Sequence, residues 1–60
     1  GATSRPENVM QLFASFNRAI DEEDYRTAKD VIINIESLIG GDDPDVIAAK
    51  TTLELEELLS

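Results

Sequence analysis

Sixty residues make one small domain at most, and thirteen acidic against five basic side chains leave a net charge of −8. That charge repels phosphate, so nucleic acid and anionic membranes are poor partners and a basic protein surface is a better one. With no Cys and no His, disulfides and the common zinc sites are excluded, and so small a core needs very good helix packing or association.

The chain opens on Gly1-Ala2-Thr3-Ser4-Arg5, which reads as a disordered lead-in or tag remnant (residues 1–5) before a single domain over residues 6–60. No apolar stretch precedes Val9, so no signal peptide is expected, and no run approaches the ~18 apolar residues of a membrane span. The lack of cysteine fits a cytoplasmic protein, or an organellar one.

Pro6 suits the first position of a helix, and Glu7 favours the positive end of its dipole. The first helix is predicted from about Pro6 to Asp21. Val9, Leu12, Phe13, Phe16, Ala19 and Ile20 recur at spacings of three and four and make its core stripe. Met10 and Ala14 lie off that stripe. Asp21-Glu22-Glu23-Asp24 is a tight polar turn, with Asp24 a good N-cap for a second helix.

The second helix is predicted from Tyr25 to Leu38 or Ile39. Its stripe is Tyr25, Ala28, Val31, Ile32, Ile35, Leu38 and Ile39, and Ile33 points elsewhere. The β-branched residues Val31, Ile32, Ile33 and Ile35 suit a strand, but the length and the three-four spacing of the whole segment favour helix. Gly40-Gly41 ends it, because glycine takes the left-handed conformation without steric cost. Asp43 then caps a third helix that has Pro44 at its first position and Asp45 in its first turn. This helix is predicted from Pro44 to about Leu59.

The third helix carries apolar residues on two sides. At 100° per residue, Ile47, Ala48, Leu55, Leu58 and Leu59 fall on one broad side, and Val46, Ala49 and Leu53 fall roughly opposite. Only one side can face the hairpin formed by the first two helices. The Ile47/Leu55/Leu58 side has more volume and is the expected core, which leaves Val46, Ala49 and Leu53 for a partner. Met10 and Ile33 are secondary candidates for the same role. Short connections make successive helices antiparallel, so the expected fold is all-α, an up-down-up three-helix unit.

Asp24-Tyr25-Arg26-Thr27-Ala28 resembles the turn of tetratricopeptide repeats, in which a glycine-aspartate-tyrosine turn is followed three residues later by a small alanine. Leu12 and Ile32 match large positions of that repeat. Phe16 stands where the repeat prefers glycine, Ile35 replaces a usual alanine, and the linker Gly40-Gly41-Asp42-Asp43-Pro44 is longer than usual. The resemblance implies one repeat-like hairpin with a capping helix. The same stretch is similar to the C-terminal helical domain of iron–sulfur J-protein co-chaperones, which would imply binding to an iron–sulfur scaffold protein. That resemblance covers about half the chain, and no His-Pro-Asp motif is present.

Chemistry finds little to work with. Ser15, Ser37, Thr51 and Thr52 sit in predicted helices with no arranged base, so no catalytic site is expected. Three aspartates follow Gly40-Gly41 where a phosphate loop needs cations. Asp42, Asp43 and Asp45 lack the spacing of a calcium loop and suit a helix start instead. The expected function is therefore non-catalytic, with no cofactor: an adaptor or assembly module binding a partner helix or a basic protein surface. The alternatives are a homodimerisation domain of a larger protein and a co-chaperone accessory domain.

Overall fold

In a computed structural model, residues 7–60 are described. The expected lead-in and the helix-starting role of Pro6 lie outside them. The chain forms three helices: α1 (Glu7–Asp21), α2 (Tyr25–Ile39) and α3 (Pro44–Leu59). The described residues contain no strand. The chain is thus an all-α three-helix unit, and its boundaries are those that the capping and glycine signals predict.

The two connections are built by backbone chemistry within a few residues. At the end of α1, the Asp24 amide donates to the Ala19 carbonyl at 2.8 Å and the Glu23 amide to the Ile20 carbonyl at 3.0 Å. These are the two bonds of a Schellman termination, which places a left-handed residue just beyond the helix. That residue is Glu23, with φ at 59°, a conformation that costs a side-chain-bearing residue about 1–2 kcal/mol. Asp24 then starts α2 at once. Its carboxylate accepts from the Thr27 amide at 3.3 Å and from the Thr27 hydroxyl at 2.8 Å.

At the other end of α2, Gly40 donates its amide to the Glu36 carbonyl at 2.8 Å with φ at 91°. Only glycine adopts that geometry without strain. Asp43 caps α3, its carboxylate accepting from the Asp45 amide at 2.9 Å, with Pro44 in the first turn where its missing N–H costs nothing.

Packing centres on α2. Ala28, Val31, Ile32 and Ile35 are its buried residues, met by Phe16 and Ala19 of α1 and by Val46, Ala49 and Leu53 of α3. Leu12, Phe13, Ile20, Tyr25 and Ile39 close the edges, partly buried. Ala28 is fully buried, and its small side chain lets neighbouring helices approach closely. Leu38, expected in the core stripe, is half exposed near the end of α2. Two ion pairs tie α3 to α2. Lys29 Nζ lies 3.2 Å from Glu57 and Lys50 Nζ lies 2.9 Å from Glu36. The early residue of α2 meets the late residue of α3 and the late meets the early, as two antiparallel helices require.

Candidate interaction surface

The structure reverses the expected facing of α3. Val46 is 1% exposed and Leu53 6%, and both pack with Ala49 in the core. Ile47, Leu55, Leu58 and Leu59 stand in solvent instead, Leu55 at 54% and Leu58 at 81%. The expectation that Val46, Ala49 and Leu53 would be open to a partner is therefore corrected: they hold the domain together.

The physical reason is the company each side keeps on the helix. Lys50 and Glu57 flank the Val46/Leu53 side, and both find partners on α2. Turning α3 to bury Ile47 and Leu55 would break both pairs and drive Thr51 into the core. Thr51 sits at the centre of the apolar side, where its hydroxyl donates to the Ile47 carbonyl at 3.0 Å. The larger apolar volume is thus divided by a polar residue. The smaller Val46/Ala49/Leu53 set is uninterrupted, and Ala49 adds little bulk between the two large residues.

Met10 and Ile33 are both well exposed, as expected, but the fold places them in different settings. Met10 borders an open groove of about 550 Å³ between α1 and α3, lined also by Phe13, Ala14, Asn17, Ala48 and Thr52, with the buried Phe16 and Ala49 beneath. Ile33 borders a hollow of about 380 Å³ between α2 and α3, with Lys29, Lys50, Glu54 and Glu57 around it. No single surface unites the five residues expected to bind a partner.

What sequence reasoning missed is the outer side of α3 as a surface. Ile47, Thr51, Leu55 and Leu58 succeed one another at intervals of four, four and three, with Ala48 and Leu59 alongside. Glu54 lies along one edge of the line, beside Ile47 and Leu58. The signal that could have found it was the placement of Lys50 and Glu57, which face α2 only when this line faces out.

Electrostatics around the surface is one-sided. Glu54 borders it and has no cation partner among the described residues, whereas Glu56 is half-buried on the side toward Tyr25. Beyond Lys50, α3 carries no Lys or Arg. Partial burial pushes the Tyr25 phenol above its ordinary 10.0, helped by the carboxylates of Glu23, Glu56 and Glu57 and opposed by the Ser60 hydroxyl. The end of α3 thus brings negative charge to the start of α2.

Among the described residues, no three acidic side chains are placed to hold a metal ion, and no helix is long and apolar enough to cross a membrane. Asp43 is spent on the α3 cap. The chain matches no protein-family model, and comparisons with curated proteins and with solved structures return no match. The class of protein that the fold defines is an all-α three-helix bundle with one apolar helix face in solvent.

Proposed function

We propose that this chain is a non-catalytic protein-interaction module, an adaptor or assembly domain that works by burying the outer face of α3. The observation that carries the reading is the exposure of Ile47, Leu55, Leu58 and Leu59 along one side of a single helix. Contiguous exposed apolar surface on a small folded unit marks a contact site. Scaled by their exposures, these four side chains equal between two and three fully exposed aliphatic residues. Their burial is worth about 4–8 kcal/mol before the costs of association.

The hairpin supports a kinship in design with tetratricopeptide repeats. The left-handed residue Glu23 precedes Asp24 and Tyr25, at the place where the repeat's turn carries glycine. In such repeats each hairpin stacks on the next, and an uncovered α3 face suits that kind of assembly.

A second reading, homodimerisation, draws on the same exposed face and on the small size of the core. Sedimentation velocity over a wide concentration range separates the two. The test of the proposal itself is the double variant Leu55→Asp/Leu58→Asp. It should keep its helicity by circular dichroism and lose every association that the native chain shows, with itself or with amphipathic helical peptides. A native chain that stays monomeric and binds none of those peptides refutes the proposal.

A further inference from the structure

We infer that the outer face of α3 seats a basic amphipathic helix from another protein, and not a second copy of this chain. The inference rests on the proposed role of that face and adds the chemistry of its occupant.

The shape of the face specifies a helix. Ile47, Thr51, Leu55 and Leu58 advance by four, four and three residues, the spacing of a seam that packs against one facing helix. At 1.5 Å per residue the seam is about 17 Å long, or three turns. Thr51 is small enough to let a facing helix come close in the middle, and the leucines fill the end.

The charge around the face specifies the sign of the occupant. Glu54 borders the seam beside Ile47 and Leu58 and has no cation partner among the described residues. The nearest lysines are engaged: Lys50 donates to Glu36 at 2.9 Å and Lys29 lies 3.2 Å from Glu57. A helix with Lys or Arg flanking its apolar stripe would supply what Glu54 lacks. A second copy would not. Its own α3 carries one lysine, held by Glu36, and no other cation. Two chains of net charge −8 would also repel as they met, in either helix orientation.

The test uses three synthetic helical peptides of equal length with the same Leu stripe and with Lys, Gln or Glu on the flanks. Binding is followed by fluorescence anisotropy at several salt concentrations. The Lys-flanked peptide should bind about two- to five-fold more tightly than the Gln-flanked one at low salt, the yield of one exposed ion pair. That preference should shrink as salt is added. In Glu54→Lys the preference should pass to the Glu-flanked peptide. The Leu55→Asp/Leu58→Asp variant is more acidic, so mere adhesion of a cation would strengthen in it, whereas seating on the face would be lost.

Equal affinity for the Lys- and Gln-flanked peptides, both lost in Leu55→Asp/Leu58→Asp, overturns the choice of a basic occupant and leaves the face's role standing. A dimer that tightens with salt and excludes the peptides overturns it in favour of a second copy. Absence of peptide binding and of dimer together removes both the inference and the role on which it rests.

Discussion

Truncating Leu53 to alanine tests the facing of α3 directly, because Leu55 on the opposite side offers the same chemical change as a control. Leu53 is 6% exposed and belongs to the core cluster. Removing three carbons from such a site costs the lost transfer energy plus a cavity term, and core Leu→Ala changes span about 2–5 kcal/mol. Leu53 also lines the open hollow between α2 and α3, so neighbours can close part of the gap, and the lower end applies, about 2–3 kcal/mol. Leu55 is 54% exposed. Its removal gives up less than half of the ~1.5–3 kcal/mol of a buried leucine, and alanine returns a little helix propensity, so the cost stays below ~1 kcal/mol. The difference of about 2 kcal/mol corresponds to about 8–16 °C in Tm for a domain of this size. A domain this small is expected to have only about 3–5 kcal/mol in all, so Leu53→Ala should be visibly frayed at 37 °C. Thermal and urea unfolding by circular dichroism, at concentrations where Tm does not depend on concentration, measures both variants. If Leu55→Ala is destabilised as much as Leu53→Ala or more, α3 faces the other way and the proposed interaction surface is its core.

Three further changes test the local chemistry. Glu23→Gly should stabilise the domain by about 0.5–1 kcal/mol, because it relieves the left-handed strain of φ 59° while giving back part of the gain as unfolded-chain entropy; a lower urea midpoint would show that the turn is not left-handed there. Asp43→Ala should cost about 1 kcal/mol by removing the acceptor for the Asp45 amide, and hydrogen exchange should rise first in the opening turn of α3. The phenol of Tyr25 is raised above 10.0 in the folded chain, so the folded state holds its proton longer than the unfolded one. Stability should therefore be unaffected by this group below pH 10 and should fall as pH rises through the folded pKa. Ultraviolet titration of the phenolate should give a midpoint above that of the urea-unfolded chain, and a lower midpoint would contradict the partial burial of the ring.

The local architecture of this protein was legible from residues a few positions apart. Helix ends depend on caps and breakers, and Asp24, Gly40 and Asp43 act within three or four residues of themselves. The facing of α1 was legible because one apolar stripe dominates it, and Val9, Phe16 and Ala19 on that stripe are buried. For α2 the same argument held for Ala28, Val31, Ile32 and Ile35 and failed only at Leu38, beside the helix end.

Met10 and Ile33 could be read as exposed because they lie off those stripes, but nothing local could say that one borders the α1/α3 groove and the other the α2/α3 hollow. The surface of α3 was the part that sequence could not resolve, since both of its sides carry apolar residues and volume pointed to the wrong one. Composition, capping and periodicity by themselves determined three helices, their limits and the inner faces of the first two. Tertiary structure alone decided the rotation of α3. That rotation comes from contacts between residues far apart in the chain: Lys29 with Glu57, Lys50 with Glu36, and Val46 and Leu53 packed around Ala49 against α2. A helix with two apolar sides buries the one whose neighbours also find partners, and those partners exist only once the hairpin has formed.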